Sequence, residues 1–245
     1  MVDSIKNYCD SHVEILEREL TDLSLTLNNF SSSSEVDDLK QSYKQKLMMN
    51  VELTDDLQYY INLYIDNWFQ ISLNKINELH NRRSKIKENM ITLKQLKLPD
   101  QRSKEWYEIR ENLLTASSLA DALGKGHFQT RDDLLISKTS ETRNKISQAS
   151  RDIMEWGVKY EEVATRFYEY LNNVKVVEFG LIPHPKLSVF GASPDGICDI
   201  DSPNGYEGRM LEIKCPPRRK FTKEVPKHYW MQMQGQLEVC DLDEC

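Results

Sequence analysis

The chain has 245 residues, enough for one sizeable domain or two small ones with buried cores. Apolar residues make up 39% and charged residues 29%, which excludes wholesale disorder, and no apolar run reaches membrane-spanning length. A net charge of −7 is the wrong sign for a protein that lives on non-specific DNA affinity, so any anion-binding surface must be local.

The first hundred residues read as helix. Ile5, Val13, Leu16, Leu20, Leu23 and Leu27 keep a three–four spacing up to Asn29. Ser31 to Ser34 interrupts the pattern, and Ser34 is placed to cap a second helix running to about Asn50. A third runs from about Thr54 to Leu96 through Leu57, Ile61, Ile65, Trp68, Ile76 and Ile86. These patterns predict a helical hairpin or small bundle over residues 1–98, with packing, assembly or partner contact as its role.

Composition changes around Leu98-Pro99-Asp100, and a second domain is expected over 99–245. Ser103 and Trp106 open a short helix, and Thr115 to Leu123 forms another that ends at Gly124. Arg151 to Leu171 is a long amphipathic helix. Val174 to Ile182 and Leu187 to Ala192 read as strands. Ile197 to Ile200 and Met210 to Cys215 read as a strand pair joined by the turn-forming Ser202-Pro203-Asn204-Gly205. His228 to Val239 closes the series as a helix. Helix, strands and helix in this order predict an α/β or α+β core behind the all-α region.

On a strand, Leu211, Ile213 and Cys215 point to a core while Glu212 and Lys214 share the other face. That pair suits either a salt bridge or a metal ligand beside a fixed charge. Ser193-Pro194-Asp195-Gly196 fits a type I turn that sets Asp195 at the mouth of the same hairpin. Two carboxylates at one end of a sheet favour a hard cation, magnesium or manganese. Glu161 shares a helix face with Gly157, Ala164 and Tyr168, small residues that suggest close packing there. Gln232 and Gln236 lie one helical turn apart, suited to phosphate, to a base edge or to plain solvent. Between Glu207 and Lys227, seven basic residues face three acidic ones, an anion-binding stretch or a solvated loop. Five cysteines without a C-x-x-C pair argue against zinc and for free thiols. The opening MVDSIKNYCDSH has no signal-peptide core, so an intracellular, non-secreted protein is expected.

Taken in order, these blocks resemble the YqaJ-like viral recombinase family, relatives of lambda exonuclease, which implies an α+β fold with a PD-(D/E)XK nuclease core, a mixed central sheet flanked by helices. Trp106, Arg110, Thr115, Ala116 and Ser117 resemble its W…R…TAS block. Gly157 with Glu161, Ser193-Pro194-Asp195-Gly196, Leu211-Glu212-Ile213-Lys214-Cys215-Pro216 and Gln232-Met233-Gln234 resemble the blocks that follow. The sequence departs at Asn112, where the family usually has glycine. It also stops soon after the glutamine helix, so the second domain is expected to be shortened at its C-terminus.

The resemblance implies a deoxyribonuclease, a 5′-to-3′ exonuclease on duplex DNA ends in viral or phage-type recombination or genome processing. Asp195, Glu212 and the Ile213 carbonyl would bind Mg2+, with Mn2+ able to substitute, and Glu161 would serve that ion or a second one. Lys214 would orient the attacking water. Arg110, Ser117, Ser193 and Gln232 would form a 5′-phosphate pocket, although a surface salt bridge from Arg110 to Glu105 or Glu111 is the plain alternative. A single-strand annealing protein, a homo-oligomer and a host-cell cytoplasmic or nuclear location are further expectations. An endonuclease or resolvase on the same core, or a non-catalytic helical interaction protein with an inactive core, are the alternative functions.

Overall fold

The structure is a computed structural model. It describes residues 7, 10, 13, 15–20, 22, 34–49, 54–127, 129–140, 147–202, 205–218 and 224–245. The expectations at Ile5, Leu23, Leu27, Ser31, the Pro203-Asn204 turn, Cys9, Arg219, Lys220 and Lys223 lie outside the described residues.

The chain divides into two compact units, residues 1–84 and 85–245. The division falls inside a helix, upstream of the composition change at Leu98. Helices are numbered here from Ser34. In the first unit the described residues between 7 and 22 are helical, followed by α1 (Ser34–Met49) and the first part of α2 (Asp55–Gln95). Leu16 and Leu20, Val36, Tyr43 and Leu47, and Ile61, Ile65 and Phe69 recur at three–four spacing and form one buried cluster. Lys40 and Lys44 of α1 reach the Asp66 carboxylate of α2 at 2.5 and 2.8 Å. Their hydrogen bonds hold its acid below the ordinary value.

The second unit begins with the last turns of α2. It continues through α3 (Lys104–Asn112), β1 (Leu114–Thr115), a 3-10 turn at Ala116–Ser118, α4 (Leu119–Ala122), α5 (Arg131–Thr139) and α6 (Gln148–Asn172). Then come β2 (Val176–Val177), β3 (Ile182–Pro183), β4 (Phe190–Ala192), β5 (Gly196–Cys198), β6 (Met210–Leu211) and α7 (Lys227–Cys240). It is an α+β unit behind helices, as expected. The strands are shorter than their apolar runs and form two three-stranded sheets, β1-β4-β3 and β2-β5-β6, in place of a single central one. Among the described residues, only β1 and β4 pair in parallel.

One core joins both sheets to helices. Met90 and Leu93 of α2 pack with Ala116, Ile182, Phe190, Ala192, Ile197, Met210 and Val239. Lys94 makes an ion pair with the buried Asp199, and Asn89 donates to the Asp241 carbonyl at the end of α7 (2.7 Å). Cys198 and Cys240 are free and buried, and burial pushes their thiols up to about 11 and about 12.

Local chemistry explains most helix ends. Ser103 caps α3 by accepting from the Trp106 N–H (3.1 Å). Thr130 and Asp133 form a reciprocal capping box on α5, a helix the sequence reading passed over. The expected tight packing at Gly157 is not found: a side chain there would meet nothing within 4 Å, and α6 has no fully buried residue. Its apolar positions Trp156, Val163, Phe167 and Tyr170 are instead exposed. Among the described residues no helix is long and apolar enough to cross a membrane.

Candidate active site

The site gathers where β5 begins and β6 ends. Gly196 pairs with Leu211 across these antiparallel strands. A Cβ on Gly196 would lie 2.2 Å from Val176 Cγ1, so glycine is required here for room. No backbone hydrogen bond closes Ser193-Pro194-Asp195-Gly196, the segment expected to form a type I turn. The chain bends at Asp195 and runs directly into β5. The pairing places Asp195 opposite the residues after Leu211, and its Oδ2 accepts the Ile213 N–H at 2.5 Å.

Glu212, Ile213 and Lys214 lie just beyond β6 rather than within it. Glu212 and Lys214 still meet, as the alternation of side chains predicts, and form an ion pair. The Glu212 side chain is only 3% exposed, so each oxygen needs a partner. Oε1 accepts from Gln232 Nε2 (2.7 Å) and from Lys214, and Oε2 accepts from Gln236 Nε2 (2.6 Å). One turn of α7 thus clamps both oxygens. The helix can come this close because Gly235 faces the other way. A Cβ there would stand 3.1–3.3 Å from Leu119, Ala116 and Phe190.

Burial, and next the adjacent Glu212 carboxylate, push the Asp195 acid up to about 7. Glu161 adds to this rise, while the Ile213 N–H and Lys214 oppose it. Burial alone would pull the Lys214 ammonium down, but Glu212 and Asp195 hold it above its ordinary value. Its Nζ also lies 5.2 Å from the centre of the Tyr229 ring. The corner therefore resists carrying both carboxylate charges unless a cation enters it.

Glu161 is held apart from that pair. Arg102 Nη2 reaches both its oxygens, at 2.7 and 2.8 Å. Glu161 and Asp195 nonetheless line one cleft of about 390 Å3. Among the described residues no three Asp, Glu, His or Cys side chains stand at mutual metal-ligand spacing. The donor set still fits Mg2+, which is commonly held by one or two carboxylates together with water and substrate phosphate.

A second cluster surrounds Trp106. Arg110 stacks on its ring (4.9 Å) and donates to Ser117 Oγ (2.8 Å). The Trp106 indole N–H reaches Ser193 Oγ (3.4 Å), and Ser193 donates to the Gly180 carbonyl (3.2 Å). Among the described residues no carboxylate pairs with Arg110, so the salt bridge to Glu105 or Glu111 does not form. Burial lowers the Arg110 guanidinium. Lys138 donates to the carbonyls of Arg110, Glu111 and Leu113, and burial and then Arg110 lower its ammonium. Arg110, Ser117 and Ser193 are thus linked through Trp106, whereas Gln232 is turned onto Glu212. Gln236, paired with Gln232 by helical spacing, binds Glu212 instead of phosphate. Two residues of this region carried no functional signal in the sequence: Lys138, which follows a readable capping box, and Arg102.

Comparison with known proteins agrees with these blocks. An uncharacterized protein of Acanthamoeba polyphaga mimivirus is 33% identical over 157 residues, covering 60% of this chain and 28% of that protein. The chain thus matches little more than a quarter of that relative's length. The alkaline exonuclease LHK-Exo of Laribacter hongkongensis is 29% identical, covering 57% of this chain and 70% of its own, with a TM-score of 0.45. Its complex with dAMP matches over the same shares with a TM-score of 0.44. Residues 105–243, more than half of the chain, match the model of the YqaJ-like viral recombinase domain, and the chain belongs to that family.

Proposed function

We propose that this chain carries a divalent-metal-dependent DNA nuclease centre that degrades duplex DNA from 5′ ends in viral-type recombination. The observation that carries the reading is the corner formed by Asp195, Glu212 and Lys214. There, two carboxylates stand close together in a largely buried site and a lysine lies beside them. The family membership points the same way.

Asp195 and Glu212 would hold a hard cation, which would supply Lewis-acid polarisation of the scissile phosphate and a more acidic water. The protein's own groups set the geometry. The Ile213 N–H fixes Asp195, and Gln232 with Gln236 fixes both oxygens of Glu212. Lys214 orients the attacking water and offers positive charge to the phosphorus oxygens as charge builds there. Arg110, Ser117 and Ser193 receive the terminal 5′ phosphate, with Lys138 strengthening the field. A guanidinium that meets no carboxylate among the described residues, beside a second cation, favours a dianion. The first unit serves partner contact or assembly.

A non-catalytic core is the second reading, favoured by the engagement of Glu161 with Arg102. Release of nucleotides from end-labelled linear duplexes, with and without Mg2+, separates the two. Asp195→Asn and Glu212→Gln are expected to abolish release while near-UV circular dichroism stays unchanged. Cleavage at the parent rate by either well-folded variant would falsify the assignment.

A further inference from the structure

Arg102 is the cation lining the acidic cleft. Among the described lining residues, Asp100, Glu161, Glu162, Glu178 and Asp195 are acidic and only Arg102 is basic. Its backbone lies in the left-handed region at φ +66, a conformation that costs a non-glycine residue about 1 kcal/mol or more. The neighbouring Gln101 fixes the segment by donating to the Phe179 carbonyl (2.9 Å) and the Pro194 carbonyl (3.0 Å). The base of Arg102 is therefore pinned beside Asp195, while its side chain is 41% exposed. A single nitrogen, Nη2, spans both oxygens of Glu161, instead of the two-nitrogen fork that makes the strongest arginine–carboxylate pairs. The remaining donors of the guanidinium are directed to no protein group among the described residues.

We propose that Arg102 gates cation loading: it occupies Glu161 in the cation-free protein, yields that carboxylate to an incoming divalent ion, and then takes a DNA phosphate. The inference rests on the metal-dependent reading above. A divalent ion outcompetes a single-nitrogen contact for a carboxylate in this acidic cleft. Once displaced, the guanidinium stands at the cleft with its donors unused, and phosphate is the anion that DNA brings there. The same residue thus lowers the affinity for the ion before DNA arrives and raises the affinity for DNA afterwards.

The test measures the two affinities separately. Mn2+ binding without DNA is followed by the electron paramagnetic resonance of free Mn2+. Duplex binding is followed in Ca2+, using 5′-labelled DNA. Arg102→Gly suits φ +66 and keeps the fold, and Arg102→Gln removes the charge with the backbone unaltered. Both variants are expected to bind Mn2+ about two- to fivefold more tightly, the range set by a half-exposed ion pair. Both should bind DNA more weakly, with a salt dependence shallower by about one phosphate contact. Adding Glu161→Gln to Arg102→Gly should cancel the gain in Mn2+ affinity. Unchanged or weaker Mn2+ binding in both single variants overturns the gate, as does a gain that survives Glu161→Gln. If the parent chain binds no Mn2+ at all, the metal-dependent reading falls and the gate with it. A parent that binds Mn2+ with variants that do not differ overturns the gate alone.

Discussion

Removing residues 1–84 should leave the second unit folded, whereas removing residues 1–98 should unfold it, although the two cuts differ by less than half of one helix. The longer deletion takes Met90 and Leu93 out of the core, where they are 0% and 7% exposed. Losing a buried Leu or Met side chain costs roughly 2–5 kcal/mol, so the pair accounts for about 4–10 kcal/mol. It also takes Lys94 from Asp199, whose side chain is 9% exposed. A carboxylate left without its cation there adds about 1–2 kcal/mol after discounting for the exposure of Lys94. The total rivals the roughly 5–15 kcal/mol that stabilises a whole domain. Asn89 is lost as well, and with it the bond to the end of α7, the helix that clamps Glu212. Urea unfolding followed by near-UV circular dichroism compares the chain starting at Lys85 with the chain starting at Pro99. Equal midpoints would refute the argument and restore the boundary suggested by composition.

Three more outcomes follow from the site. Between about 3.8 and about 7, the unfolded chain has lost the Asp195 proton and the folded chain has kept it. Stability in cation-free buffer therefore falls as pH rises through this window. Asp195→Asn removes the fall and should be more stable than the parent by on the order of 2 kcal/mol at about pH 8. A variant-to-parent difference that stays constant from about pH 4 to about pH 8 contradicts this. Arg110→Ala should erase a preference of about tenfold for 5′-phosphorylated over 5′-hydroxyl duplexes, measured as initial degradation rates; an undiminished preference removes Arg110 from the pocket. Lys214→Ala should lower turnover by about 100-fold and DNA affinity far less, and equal losses in both would reduce Lys214 to a phosphate contact.

What could be read from the sequence was set by how locally each feature is determined. Helices α6 and α7 were legible because their periodicity runs over many turns, and the Ser103 cap because it acts within three residues. Glu212 and Lys214 were legible as a pair because alternation survives even where the ladder has ended. The strands were overdrawn because β-branched runs mark burial, while pairing also needs a partner in register. Gly157 was misread because sequence gives a face and not what covers it. Arg102 was out of reach: its left-handed backbone has no glycine to signal it, the neighbouring Gln101 bonds to two distant carbonyls, and Glu161 meets it across 59 positions.

The two buried thiols, Cys198 on β5 and Cys240 at the end of α7, give the second unit an internal clock. With their acidities suppressed by burial, they react with an alkylating reagent at neutral pH only when the surrounding core opens. Cys198 reports the strand that leads out of Asp195, and Cys240 the helix that carries Gln232 and Gln236. Simultaneous labelling means that the carboxylate and its clamp come apart in one cooperative event, and sequential labelling gives the order in which the site is dismantled.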